Sequence, residues 1–276
     1  MFQPVSVLLL LLGPLVAHCV PLVLPVDCSD IDHQDKSRPS GVYTIFPIGA
    51  TSAVQVPVTC LRHRLMLQPN TTTQAARVGL NNVSGISRVI HSSIRPPLWG
   101  QTLVSRLENW ELNYESSSTD FYRPWDQYKL GFGNAATEYW LGLENIFHLT
   151  LRKKYELLVD MEDFSGNKAF ARYTSFSIDP ETYGYKLHVS GFINGGAGDA
   201  LTYHNGQKFS TFDSSGNCAK RHMGGFWFNS CHHANPNGVY RWGADGTISY
   251  VGVEWYQWKG YNYSLKKISM KIRPVQ

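Results

Sequence analysis

The chain has 276 residues, of which 43% are hydrophobic and 13% aromatic, so it can bury one sizeable core. Its formal net charge of +4 is too small to indicate a nucleic-acid-binding protein. The sequence contains neither a His-Glu-x-x-His zinc motif nor a Gly-x-Ser-x-Gly nucleophile motif, so it offers no signature of an enzyme.

The N-terminus has the pattern of a secretory signal at residues 1–19. An apolar run from Val5 to Val16 precedes a candidate cleavage site at Ala17 to Cys19. Pro14 within this run and Pro21 and Pro25 after it break the apolar stretch too early for a membrane-spanning helix, and no later stretch is long and apolar enough. We therefore expect a secreted chain without a membrane span, in which residues 20–27 form a short N-terminal segment.

Five cysteines in a secreted chain predict two disulfide bonds and one remaining thiol, and the sequence alone permits several pairings. Cys19 is the candidate for the remaining thiol, either leaving with the signal or forming an interchain bond. N-glycosylation sequons begin at Asn70, Asn82 and Asn262. We expect glycans at Asn70 and Asn82, and least of all at Asn262, which lies within a strand-like run.

Residues 61–117 differ in composition from the rest of the chain. They hold only three aromatic residues, and such long irregular stretches are uncommon inside compact domains. Helical spacing favours one amphipathic helix on this segment, through Leu103, Leu107, Trp110 and Tyr114. Two interpretations stay open: a genuine insertion, or a splicing or gene-structure artefact that replaces part of the core.

Downstream, the hydrophobic spacing predicts helices over residues 125–133 and 137–151. Alternation of apolar and polar residues predicts strands over 155–160, 169–178 and 185–192. From residue 194 onward Gly and Asn are frequent, so the last third of the chain should be rich in loops. These elements together indicate an α+β fold.

The last fifty residues carry the most distinctive motifs: Phe226 to Phe228, Cys231-His232, an Asn-Pro-Asn-Gly turn from Asn235, and a closing run from Met270 to Pro274. Over residues 28–60 and 118–276, which include these motifs, the chain resembles the fibrinogen C-terminal (fibrinogen-related) domain, a family of secreted recognition modules. The resemblance implies one α+β domain over residues 28–276, with a central antiparallel sheet, short helices and a loop-rich C-terminal subdomain. Within it, residues 61–117 are a discordant insertion that replaces a strand of the family.

The resemblance also implies the disulfide pairs Cys28–Cys60 and Cys218–Cys231, and a cis peptide bond between Cys231 and His232. Zinc is an alternative use of four neighbouring side chains, Cys218, His222, Cys231 and His232. In an oxidising compartment the disulfide is favoured over the metal.

By the same resemblance, an acetyl-binding pocket is expected beside the second disulfide, lined by His222, His232, Tyr250, Trp255 and Tyr261. Aromatic rings pack a methyl group, while His and backbone N–H groups bind a carbonyl. The carboxylate-rich calcium loop of the family keeps only Asp213 here. Because calcium prefers several oxygen ligands, we expect weak or absent calcium binding.

The resemblance implies a secreted, non-enzymatic extracellular-matrix glycoprotein that binds elastic-fibre or collagen components (elastin, fibrillin, collagen), supports cell adhesion and forms homo-oligomers. The alternative is a soluble lectin of innate immunity that recognises acetylated glycans.

Overall fold

The computed structural model describes residues 24–35, 37–58, 101–106, 119–214, 217–241, 243–244 and 249–275. The helices are α1 (Cys28–Gln34), α2 (Trp125–Leu130), α3 (Leu143–Arg152), α4 (Asn217–His222) and α5 (Tyr256–Lys259), with short 3-10 turns at Glu181–Tyr183 and Leu201–His204. The strands are β1 (Gly41–Ile45), β2 (Val54–Val58), β3 (Gln101–Arg106), β4 (Phe132–Gly133), β5 (Tyr139–Trp140), β6 (Tyr155–Glu162), β7 (Lys168–Ile178), β8 (Leu187–Gly195), β9 (Ala234–Asn235), β10 (Glu254–Trp255) and β11 (Lys267–Pro274).

The main sheet is antiparallel and follows the order β1-β2-β3-β11-β6-β7-β8, with β4 and β5 attached beside β3. The last strand of the chain, β11, therefore lies in the middle of the sheet between β3 and β6. A separate two-stranded pair, β9 with β10, lies in the loop-rich C-terminal part. The antiparallel sheet and short helices confirm the predicted fold class.

Helix α3 covers one face of the sheet because its apolar residues recur every three or four positions. Leu143, Ile146 and Leu149 are completely buried, and the helix packs on β7. On β7 itself, Ala169, Ala171 and Tyr173 alternate inward, as expected for a half-buried strand. All six belong to the hydrophobic core.

A cluster of buried rings joins the sheet to the C-terminal loops. The ring centroids of Tyr128 and Phe209 lie 5.1 Å apart, and Phe209 lies 5.1 Å from Trp227 and 5.7 Å from Trp140. The indole N–H of Trp140 donates to the carbonyl of Tyr128 at 2.8 Å, so a polar group of the cluster is satisfied as well. The C-terminal subdomain is thereby packed onto the same core as the sheet.

Residues 61–117 contribute a central strand, contrary to the expectation that this strand is missing. Strand β3 pairs with β11 along five residues and contacts β2 and β5, so its backbone groups are hydrogen-bonded on both sides. Leu103, which we placed on a helix, is completely buried in this strand. The other positions of the predicted helix, Leu107, Trp110 and Tyr114, lie outside the described residues.

The two helices expected over residues 125–133 and 137–151 are shorter than predicted. Gly131 and Gly142 have φ angles of 99° and 101°, which L-residues rarely adopt, so the chain leaves helical geometry there. A Cβ atom on Gly131 would lie 2.7 Å from the carbonyl oxygen of Leu141, because the strand pair β4–β5 brings the two backbones close together. The strands predicted over 155–160, 169–178 and 185–192 are present as β6, β7 and β8.

Asp163 also departs from the sequence-based interpretation. Two adjacent acids at the end of a strand, such as Glu162 and Asp163, are expected to be solvated, but Asp163 is only 1% exposed. Its carboxylate accepts hydrogen bonds from the Lys259 ammonium at 2.6 Å and the Asn167 amide at 2.8 Å. These partners make burial of the charge tolerable, and they tie helix α5 to the turn that follows β6.

Several predictions of the sequence fall on residues outside the described ones: the signal at 1–19, the thiol of Cys19, the glycans at Asn70 and Asn82, and Cys60. Cys28 is described, and its side chain is buried at the start of α1. The pairing Cys28–Cys60 therefore stays a prediction.

The position of β3 can be tested with Leu103→Ala. Truncating a completely buried leucine removes apolar contacts and leaves a cavity, so we expect a loss of about 2–4 kcal/mol in the free energy of unfolding. Leu130→Ala is the matched control, because Leu130 is 71% exposed, and it should change stability by less than about 0.5 kcal/mol. Urea unfolding monitored by tryptophan fluorescence would measure both. Equal stabilities of the two variants would contradict the placement of β3 in the core.

Candidate functional site: a cleft beside a disulfide bond

A disulfide bond joins Cys218 on α4 to Cys231, as predicted. Because both thiols are consumed, Cys218 and Cys231 cannot serve as zinc ligands. No group of three or more His, Cys, Asp or Glu side chains suited to a metal ion occurs within the described ranges. The disulfide is thus favoured over the zinc alternative at this position.

The cis peptide bond of this region lies one residue earlier than predicted, between Ser230 and Cys231 rather than between Cys231 and His232. The cis bond is enclosed in a tight turn, which the amide of Asn229 closes by donating to the carbonyl oxygen of Cys231 at 2.8 Å.

His204 fixes the two ends of the segment that carries this turn. Its Nδ1 donates to the Trp227 carbonyl at 2.6 Å, and its Nε2 accepts the amides of His233 and Ala234, each at 3.1 Å. The side chain is fully buried, and burial lowers its pKa to about 3. A neutral imidazole is required here, because Nε2 must accept while Nδ1 donates.

Between this turn and α4 the surface forms a cleft of about 330 Å³. Its lining residues are Arg221, His222, Ser230, Cys231, His232, Tyr250 and Tyr261. The cleft therefore brings together four of the five residues predicted for the ligand pocket, namely His222, His232, Tyr250 and Tyr261. The ring centroids of His222 and His232 are 4.4 Å apart, and those of Tyr250 and Tyr261 are 4.6 Å apart.

The fifth predicted residue, Trp255, does not line the cleft. Its side chain is 1% exposed and belongs to the core, and its indole N–H donates to the carbonyl of Gly198 at 3.2 Å. Strand β10, which contains Trp255, pairs with β9. Trp255 therefore belongs to the core and, unlike the other four residues, is not part of the lining of the cleft.

His222 and Tyr250 form one side of the cleft through a backbone contact. The Nδ1 atom of His222 donates to the carbonyl oxygen of Tyr250. Tyr250 has a φ angle of 71°, an unusual conformation for a residue with a side chain, and 48% of it is exposed. Burial lowers the pKa of His222, so its imidazole is neutral at physiological pH.

His232 and Glu254 form a buried pair beneath the cleft. Nε2 of His232 lies 2.8 Å from Oε2 of Glu254, and their side chains are 1% and 2% exposed. Burial lowers the pKa of His232 to about 4 and raises the pKa of Glu254 to about 8. Between these values the pair holds one titratable proton and has no net charge.

The shared proton determines what His232 presents to a ligand. Whether the proton is on Glu254 or on Nε2, the Nδ1 atom of His232 carries a hydrogen. Nδ1 is buried and has no hydrogen-bond partner within the described part of the chain. A donor that lines a cleft without a partner is suited to a carbonyl or carboxylate oxygen.

Asp213, the one carboxylate kept from the family's calcium loop, makes structural hydrogen bonds. Asp213 accepts the backbone amide of Trp125 at 2.9 Å and the hydroxyl of Thr211 at 2.6 Å. Asp199 likewise accepts the Tyr173 hydroxyl at 2.7 Å and the Thr202 amide. Asp213 thus accepts a hydrogen bond at the start of α2, and the weak or absent calcium binding expected at this loop stays a prediction.

A larger hollow of about 590 Å³ lies over the sheet, near β6, β7 and β11. Its acids already have partners, since Asp160 pairs with Lys271 at 2.9 Å and Glu162 pairs with Lys168 at 3.5 Å. The smaller cleft is the better candidate binding site, because it contains a buried nitrogen that has no hydrogen-bond partner among the described residues.

The architecture is that of a fibrinogen-like globe. The fibrinogen-like globe domain of human ANGPTL2 superimposes with a TM-score of 0.70 at 37% sequence identity, covering 91% of this chain and 99% of that domain. The family model described as "Fibrinogen beta and gamma chains, C-terminal globular domain" matches residues 110–275. The chain therefore belongs to the fibrinogen C-terminal domain family.

Two relatives show which members of that family the chain is similar to. Microfibril-associated glycoprotein 4 from Bos taurus is 46% identical over 263 residues, which cover 91% of this chain and 86% of that protein. Techylectin-5A from Tachypleus tridentatus is 42% identical over 182 residues, which cover 64% of this chain and 60% of that protein. None of the helices within the described ranges is long and apolar enough to cross a membrane.

The buried pair predicts a pH-dependent stability that Glu254→Gln should abolish. A raised folded-state pKa stabilises the protein at low pH, and this contribution is lost as the pH rises toward about 8. The lowered pKa of His232 acts in the opposite sense: its contribution makes stability rise with pH, and this contribution no longer changes above the ordinary histidine pKa of 6.5. From pH 6.5 to 8, wild-type stability should therefore fall by about 1 kcal/mol per pH unit relative to Glu254→Gln.

Thermal unfolding at pH 5.5, 6.5, 7.25 and 8 would measure this difference. Glu181→Gln is the matched control, because hydrogen bonds from Lys129 and Trp125 lower the pKa of that carboxyl and keep it ionised throughout. It should follow the wild-type slope. Parallel curves for wild type and Glu254→Gln would show that Glu254 is ionised in the folded protein at neutral pH.

Proposed function

We propose that this chain is a secreted, non-enzymatic extracellular-matrix glycoprotein whose fibrinogen-like domain binds elastic-fibre or collagen components. The observation that carries the proposal is the 46% identity to a microfibril-associated glycoprotein over 86% of that protein's length. Agreement over nearly the whole relative supports a shared role better than a match to one domain would. Self-association into homo-oligomers and support of cell adhesion are part of the same proposal.

Binding of the secreted chain to immobilised tropoelastin, fibrillin and collagen would test this proposal. We expect saturable binding to at least one of them, with serum albumin as the negative surface. Size-exclusion chromatography with light scattering would determine the oligomer in the same preparation. A correctly folded, secreted chain that binds none of the three proteins would overturn the matrix proposal.

A second candidate, recognition of acetylated glycans, is favoured by the unpartnered Nδ1 of His232. In this proposal the acetyl carbonyl accepts the Nδ1 hydrogen, and the methyl group packs against the rings of Tyr250 and Tyr261. The exposed guanidinium of Arg221 at the cleft suits the polar part of such a ligand. The similarity to a protein named a lectin supports the same assignment.

Tyr250→Gly tests this candidate with little risk to folding. Glycine adopts the φ angle of 71° without strain, so the substitution removes a wall of the cleft and preserves the backbone. We expect wild type to be retained on chitin and released by acetate, and Tyr250→Gly to lose at least ten-fold in affinity. Tyr183→Ala removes another exposed tyrosine ring, which does not line the cleft, and should bind like wild type. Equal retention of all three proteins would exclude the cleft as the binding site.

Glu254→Gln adds a second measurement, the pH dependence of chitin binding, which would not change if Glu254 had only a structural role. The amide of Gly252 donates to Oε1 of Glu254 at 3.0 Å, so a glutamine places its oxygen there and directs its NH₂ group at His232. His232 then keeps its hydrogen on Nδ1 at every pH. Binding of wild type to chitin should decline as the pH rises through about 8, whereas binding of Glu254→Gln should not.

A further inference from the structure

We infer that Asn262 is an N-glycosylation site whose glycan is positioned at the rim of the cleft and restricts the access of macromolecular partners. The inference rests on the secretion included in the proposed function, because the modifying enzyme acts on chains that enter the secretory pathway. The sequon is Asn262-Tyr263-Ser264.

The structure removes the reason for expecting no glycan at this position. We placed Asn262 inside a strand, but it lies in a bend between helix α5 and strand β11, and its side chain is exposed. An exposed asparagine in a bend leaves room for a bulky, hydrated substituent. Ser264, the third residue of the sequon, is only 3% exposed, and its hydroxyl accepts the Val253 amide at 3.0 Å. The transfer must therefore precede folding of this segment.

The chemistry of the modification is compatible with the contacts of the folded state. Transfer from a lipid-linked oligosaccharide diphosphate forms a bond between Nδ2 of Asn262 and C1 of the first sugar. The bond between C1 and the phosphate oxygen breaks, and the lipid diphosphate leaves while Nδ2 loses one proton. The Oδ1 atom is not altered, so it still accepts the hydroxyl of Ser249, and this contact holds the base of the glycan.

The same contact places the glycan beside the cleft. Ser249 precedes Tyr250 and Asn262 follows Tyr261, and these two tyrosines line the cleft. The amide of Tyr250 also donates to the carbonyl of Tyr261 at 3.2 Å, so the two segments are held together. A glycan at Asn262 therefore starts one residue from a ring of the cleft. A small acetylated ligand can pass beside it, whereas a large protein meets a steric barrier.

Peptide mass spectrometry of the full chain secreted from eukaryotic cells tests the modification directly. Enzymatic release of N-glycans in heavy-oxygen water converts a glycosylated asparagine into a labelled aspartate. We expect this label at Asn262 in most of the secreted protein, and none after Asn262→Gln. Unlabelled Asn262 in protein recovered from the medium would overturn the inference, and the presence of the protein in the medium separates this outcome from a failure of secretion.

Binding measurements test the effect on access. Asn262→Gln should bind at least three-fold more tightly than wild type to whichever matrix protein or chitin surface the wild type recognises, with unchanged affinity for soluble N-acetylglucosamine. Ser249→Ala is the matched control, because it removes the same hydrogen bond but keeps the sequon. Equal affinities of wild type and Asn262→Gln for the macromolecular surface would overturn the steric role.

Discussion

The cleft depends on one buried imidazole. His204 donates to the Trp227 carbonyl and accepts the amides of His233 and Ala234, so it fixes the chain on both sides of the disulfide-bonded turn. A protonated imidazole could not accept those two amides, and a smaller side chain would leave three buried backbone groups without partners. The turn that carries His232 is therefore held from the inside of the domain by the buried imidazole of His204.

This arrangement connects the site to the whole sheet. Trp227, whose carbonyl His204 holds, packs against Phe209 in the ring cluster that also contains Trp140 of β5. Strand β5 in turn pairs with β3, and β3 pairs with the final strand β11. The chain must reach its last ten residues before the centre of the sheet is complete. The geometry of the cleft thus depends on contacts that are distant in sequence, whose formation requires costly loop closure.

The sequence predicted the parts of this molecule that local patterns determine. Alternation was sufficient for β6, β7 and β8, whereas the Cys218–Cys231 pair and the histidines and tyrosines of the cleft were expected from the family resemblance. Prediction from sequence failed where the structure depends on contacts between residues that are far apart in the chain. Leu103 has helical spacing with its neighbours, but pairing with β11 makes it part of a strand. The only local sign that Glu254 is buried was its position within an apolar run. Nothing in the neighbouring sequence indicated that His204 holds the turn.

The pair of His232 and Glu254 explains why a buried acid can lie beneath the cleft. An ionised carboxylate there would draw the histidine hydrogen toward itself and leave Nδ1 as an acceptor, which repels carbonyl oxygens. A protonated carboxyl, or a proton shared across the 2.8 Å contact, leaves the donor on the side of the cleft. Burial favours that state because it removes the net charge from the interior. The same low polarity that protects the core thus determines the hydrogen-bonding character of the surface above it.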